Sequence, residues 1–133
     1  MSSYLELAEA DLSEAEFVAT VAERADCLIL LDVNNVYVSA RNHGFDAHAY
    51  LDAIPRTRVG QIHLAGHSAH GALLIDTHDH PVCEEVWALY RYAVNRFGDV
   101  ATLLERDAEL PPWQELVAEL ERARTICSQA RAA

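Results

Sequence analysis

Cysteine, basic residues and long apolar runs are all scarce in this chain, and each shortage excludes something. The three cysteines, Cys27, Cys83 and Cys127, lie far apart and form no CxxC pair. That spacing reads as reduced thiols packed like small apolar side chains, not as a disulfide framework. Ten Lys and Arg stand against 21 Asp and Glu, for a formal net charge of -11. Nucleic-acid surfaces need clustered cations to neutralise phosphates, so that class is excluded. The longest apolar run, CLILL, is too short to cross a bilayer. The opening MSSYLELAEADLSEAE is acidic where a secretory signal is basic and then apolar. The expectation is a cytoplasmic protein with neither a nucleic-acid nor a membrane partner.

What is present suits one domain: 133 residues, 51% of them hydrophobic. Two periodicities alternate along it, with no repeat, linker or low-complexity segment. SEAEFVATVAERA carries a capping box, Ser13 with Glu16 three residues on. It predicts a helix from about Glu14 to Ala25 with Phe17, Val18, Val21 and Ala22 on its apolar stripe. AHAYLDAI is a short helix before Pro55. VCEEVWALYRYAVNRFG puts Val82, Val86, Trp87, Tyr90, Ala93, Val94 and Phe97 on one face and stops at Gly98. Pro111 and Pro112 open a last helix, with Leu116, Val117, Leu120 and Ala123 facing the core. Continuous apolar runs predict four parallel strands, near 27–33, 60–65, 72–76 and 100–105. Strand–helix alternation of this kind implies an α/β fold with a parallel sheet and helical crossovers.

Polar residues recur just beyond these strand ends: Asp32, His63, Asp76, His78 and Glu105. In α/β barrels and open α/β sheets that edge assembles active sites. Asp32 directly follows four aliphatics, where a charge is costly unless paired or metal-bound. The stretch GQIHLAGHSAHGALLIDTHDH holds five of the seven histidines. Asp76 and His78 stand two apart, so on an extended segment both point to one face. An oxygen and an imidazole together suit iron, zinc or manganese. Taken singly, DTH reads as a surface loop, LLDVNN as a strand ending in an Asx turn, and HLAGH as a core histidine followed by a loop histidine.

Taken jointly, LLDVNNVYVSARNHGFD, IHLAGH, LIDTHDHPV, VWALYRYAVNRFG and LLERDAELPP resemble the MbnB-like family of multinuclear iron-dependent oxidases. The resemblance runs from Ser2 to about Ala123. It implies a TIM barrel of the xylose isomerase and endonuclease IV type, with two or three irons at its C-terminal face. The implied activity is modification of cysteines in ribosomally made precursor peptides, including copper-binding ones, with a separate partner protein presenting the peptide. Carried onto this sequence, Asp32, His63 and Glu105 match the ligands of one iron, and Asp76 with His78 those of a neighbour. Asn35 matches a further ligand position. Asn34, His43 and His67 match substrate-facing or supporting positions, while His70 and His80 fall in solvated loops and His48 on a surface helix. The resemblance covers only the C-terminal half of the family, with residues 1–133 as a single half-barrel domain. MSSY matches the tail of a motif whose bridging glutamate, with two histidines before it, has no counterpart here. A half barrel of this kind expects a homo-oligomer or a complementing N-terminal half. Two other readings stand beside the oxidase: a sugar isomerase or epimerase using one divalent ion, and a non-catalytic metal-binding half-barrel.

Overall fold

A computed structural model describes residues 4, 5 and 9–132. The capping box forms as the sequence requires: Ser13 Oγ accepts from Glu16 N at 3.3 Å, and Glu16 Oε2 accepts from Ser13 N at 2.9 Å. It starts α1, Glu14–Arg24. The buried stripe of this helix is Ala15 and Ala22, with Val18 packed against the core. Phe17 and Val21, assigned to that stripe from sequence, are instead 58% and 46% exposed. They stand at i and i+4 beside the buried i, i+3, i+7 row, so a helix cannot turn both rows fully inward.

Strand β1, Ile29–Asp32, runs directly into α2, Val33–His43, a helix absent from the expected elements. Its signals are in the sequence nonetheless. Asp32 Oδ1 accepts from Asn35 N at 2.7 Å as the N-cap, and Gly44 closes the helix at φ 75. Val33, Val36 and Ala40 are buried at helical spacing. After α3, Ala47–Ala53, and a short 3-10 turn comes β2, Val59–Leu64. Helix α4, Glu84–Phe97, buries Val86, Trp87, Tyr90, Ala93, Val94 and Phe97, and Gly98 ends it as expected. Strand β5, Ala101–Leu104, and α5, Trp113–Ala132, complete the chain.

The main sheet is parallel, in the order β1-β2-β5. The strand expected near 72–76 is a correction. Leu73–Ile75 forms β4 of a separate antiparallel hairpin with β3, Ser68–His70. Only Gly71 and Ala72 separate the two, and Gly71 has φ 65. So short a link can close a hairpin, whereas a parallel neighbour needs a crossover of about a dozen residues. Among the described residues the sheet does not close into a barrel.

Helices cover one face of the sheet. Leu31, Ile62 and Leu64 point into a core with Val33, Val36, Leu51, Ile54, Val86 and Tyr90. Each such aliphatic, fully buried, contributes about 1.5–3 kcal/mol. Tyr90 ties three elements together: its hydroxyl lies 2.8 Å from Thr102 Oγ1 on β5 and 3.0 Å from Cys127 Sγ on α5. The other face carries Asp32 and His63, aligned across the sheet with Leu103. It is poorly covered: Leu28, Leu30 and Leu103 are 63%, 55% and 43% exposed.

No helix among the described residues is long and apolar enough to cross a membrane.

Candidate metal centre

Parallel register puts the site together. Asp32 on β1 pairs with His63 on β2, and His63 with Leu103 on β5, so Glu105 follows just beyond that strand's end. Glu105 N donates to Leu64 O at 2.9 Å, extending the ladder and holding the carboxylate in line. His63 sits between two acids. Its Nδ1 lies 2.5 Å from Asp32 Oδ2 and its Nε2 lies 2.6 Å from Glu105 Oε2. The two contacts differ in kind. The first is a well-directed hydrogen bond, while the second is out of line, so the enclosed Nε2 has no hydrogen-bond partner. The bond to Asp32 is the main influence holding the His63 pKa above its ordinary value, with Glu105 adding to it and burial opposing.

His78 joins the group from the segment after the hairpin. Its Nε2 is 3.1 Å from Asp76 Oδ1 and 3.9 Å from Asp32 Oδ2; its Nδ1 is 3.1 Å from Glu105 Oε2 and 3.5 Å from Asp107 Oδ2. The imidazole centroids of His63 and His78 are 5.1 Å apart. His78 has φ 54, a left-handed conformation that a side chain adopts only at a cost of about 1–3 kcal/mol. Two backbone bonds hold it there: His78 N to Gly66 O at 3.1 Å, and Asp107 N to His78 O at 2.8 Å. Gly66 permits the approach, since a Cβ at that position would lie 1.9 Å from His80 O.

Asp76 is oriented by the first turn of α2. Asn35 Nδ2 donates to Asp76 Oδ2 at 2.9 Å, and Asn34 Nδ2 donates to Asp76 Oδ1. The Asn35 Oδ1 is enclosed with no hydrogen-bond partner. Asn34 Oδ1 in turn lies 2.8 Å from His67 Nδ1. Burial is the first influence on His67 and keeps its pKa below the usual histidine value.

The structure thus brings Asp32, His63, Asp76, His78, Glu105 and Asn35 to one place, with Asn34 and His67 beside them. His43 lies apart: eight residues further along α2, or about 12 Å at the helical rise, it lines an apolar cleft with Phe45 and Tyr50. His70 and His80 are exposed, and His48 is exposed beside Asp46. Two participants escaped the sequence reading. Asp107 stands two residues beyond Glu105, the same extended spacing that flagged Asp76 with His78. Tyr4, the last residue of MSSY, was given no role from the sequence, yet its hydroxyl accepts from Asp76 N at 3.0 Å.

Donor atoms of two triads each fall within 4.8 Å of one another: Asp32, His63 and His78, and His78, Glu105 and Asp107. A mixed carboxylate and imidazole set with enclosed, unpartnered His63 Nε2 and Asn35 Oδ1 fits a divalent transition metal. A family described as RiPP precursor modification enzyme MbnB/TglH/ChrH matches residues 1–128. The chain belongs to this family. Relatives include UPF0276 proteins. One from Anaeromyxobacter sp. (strain Fw109-5) is 56% identical over 133 residues, covering 100% of this chain and 47% of the relative. One from Caulobacter vibrioides (strain NA1000 / CB15N) is 55% identical over 123 residues, 92% of this chain and 44% of the relative. A third, from Pseudomonas aeruginosa (strain UCBPP-PA14), is 53% identical over 127 residues, 95% and 44%. This chain therefore spans just under half the length of the curated relatives it matches.

Proposed function

We propose that this chain carries the metal-binding part of an iron-dependent oxidase acting on cysteines of ribosomally synthesised precursor peptides. Family membership supports the peptide substrate. The observation that carries the metal reading is His63 Nε2, enclosed among carboxylates yet without a hydrogen-bond partner. Asp32, His63 and Glu105 would hold one iron. Asp76 and His78, with Asn35 and the newly placed Asp107, would hold a neighbour.

Iron held by these residues would supply redox and Lewis-acid chemistry. The chain's own residues do the rest. Asn34 and Asn35 aim Asp76, the strand ladder aims Glu105, and the α2 cap fixes Asp32. A precursor peptide and a protein that presents it are the partners under this reading. A second copy of the chain or an N-terminal half would cover the open sheet face, with the assembly working in the cytoplasm. Between the multinuclear and the single-ion isomerase readings, two donor triads sharing His78 favour the multinuclear one.

Anaerobic iron loading followed by elemental analysis and Mössbauer spectroscopy tests the proposal. More than one bound iron per chain, reduced in His63→Gln, supports it. One manganese-like ion would favour the isomerase, and weak partial occupancy the non-catalytic half-barrel. Mass change of a cysteine-containing precursor peptide on incubation with the loaded protein then tests the reaction itself.

A further inference from the structure

Glu119 stands where α5 would be expected to carry an apolar side chain. It lies four residues before Ala123 and seven before Ile126, both buried, so the three share the core-facing row of the helix. The position holds a carboxylate with both oxygens engaged. Oε1 accepts from Val82 N at 2.8 Å, and Oε2 accepts from Arg106 Nη2 at 3.0 Å. The side chains of Arg106 and Glu119 are 6% and 18% exposed, and among the described residues Glu119 is the one carboxylate paired with Arg106. An ion pair this far out of water adds little net stability, because desolvating two charges offsets most of their attraction.

Its placement supplies another reason for it. The pair joins the two segments that meet at His78. Val82 closes the segment that carries Asp76 and His78. At the start of that segment, Leu74 is gripped on both backbone groups by Asn42 of α2, each at 2.9 Å. Arg106 lies between Glu105 and Asp107. Those two carboxylates reach His78 Nδ1 at 3.1 and 3.5 Å, while Arg106 turns the other way, to α5. A backbone bond from Asp107 N to His78 O, at 2.8 Å, joins the same two segments directly.

We propose that Arg106 and Glu119 are positioning residues of the candidate metal site, and that their pair sets how far the Glu105–Asp107 arm stands from His78. This rests on the metal reading above. Neither residue touches an ion. Glu119 acts through Val82 on one arm, and Arg106 acts through the backbone of 105–107 on the other. Metal–ligand distances tolerate only about 0.2 Å, so a small relaxation of either arm weakens an ion held between them.

The test separates positioning from plain stabilisation. Arg106→Met combined with Glu119→Gln removes both charges at once. The Gln oxygen still accepts from Val82 N, and its amide nitrogen faces a thioether, so no charge is left stranded. Cobalt(II), whose visible absorption reports its coordination, is titrated into metal-free wild type, the double variant and Glu105→Gln. The double variant should melt close to wild type. It should bind the ion that Glu105→Gln weakens about 10–100-fold less tightly than wild type does, with an altered visible spectrum. Wild-type cobalt affinity and spectrum in the double variant overturn the proposal. If the double variant melts well below wild type, Arg106→Met alone decides by the same two readings, since it strands no cation and leaves Glu119 bonded to Val82 N. A wild type that binds no cobalt, or a Glu105→Gln protein that binds it as wild type does, sinks the metal reading itself. Unchanged binding in the charge-free variant beside a weakened Glu105→Gln sinks the positioning role alone.

Discussion

Asp32 Oδ2 lies 2.5 Å from His63 Nδ1, its register partner on the next strand, while the other oxygen of the same carboxylate caps α2 at Asn35 N. One side chain thus ends a strand, starts a helix and faces the candidate metal site. The two duties separate by substitution. Asn also caps helices well, so Asp32→Asn keeps the cap and loses the charge, whereas Asp32→Ala loses both. Both should bind less metal, and Asp32→Ala should be less stable than Asp32→Asn by about 0.5–2 kcal/mol. Denaturant unfolding of the metal-free variants measures the difference. Equal stabilities would show that the cap contributes nothing.

Gly66 is the second lever. A methyl group there meets the His80 carbonyl oxygen at 1.9 Å and the Pro81 carbonyl oxygen at 2.7 Å, and backbone yields little. Gly66→Ala should displace the segment carrying Asp76 and His78, with a cost on the order of 1–3 kcal/mol. It should lower metal capacity although no ligand is touched. Elemental analysis beside a thermal melt checks this, and unchanged metal content would mean the segment is not held by Gly66.

How much of this was legible beforehand depends on where each signal is stored. The α1 cap, the α4 stripe and the alignment of Asp32 with His63 follow from local pattern and strand ends, and were readable. Helix α2 was masked because Asp32 ends one element and caps the next, so DVNN reads equally as an Asx turn. The 72–76 strand was apolar enough to pass for a core strand, and only the Gly71 turn reveals its antiparallel partner. Phe17 and Val21 share a helical spacing with the core row, and tertiary packing alone decides which row faces inward. Tyr4 ends the MSSY motif, but its partner Asp76 lies 72 residues away, and no local pattern names a partner at that distance.

The pH response of the metal-free protein follows from His63. Its pKa is raised in the folded state, chiefly by the bond to Asp32, above the unfolded histidine value of about 6.5. The charged pair therefore contributes stability that is complete below that value and lost as pH rises through the higher folded one. Melting temperatures should fall with rising pH over this window more steeply in wild type than in His63→Gln. Metal binding has the opposite sign, because an ion must displace the His63 proton, so apparent affinity rises with pH over the same range. Identical pH slopes for wild type and His63→Gln would remove His63 from both effects.

The last expectation concerns the uncovered sheet face. Leu28, Leu30 and Leu103 stand well exposed on it, beside the site that Asp32 and His63 form. Strands β1 and β5 are both edges among the described residues, with backbone groups free to pair. Apolar surface left in water costs about 25 cal/mol per Å², and open parallel edges add to the drive for association. The 133-residue chain should therefore self-associate through this face at micromolar concentration. Leu30→Glu with Leu103→Glu places like charges on that face, in a chain already at net charge -11. Because both residues are exposed, the double variant should keep its helical circular dichroism while its mass by light scattering drops to that of one chain. A wild-type chain that scatters as a monomer, or a double variant that associates as strongly as wild type, would show that this face is not what drives assembly.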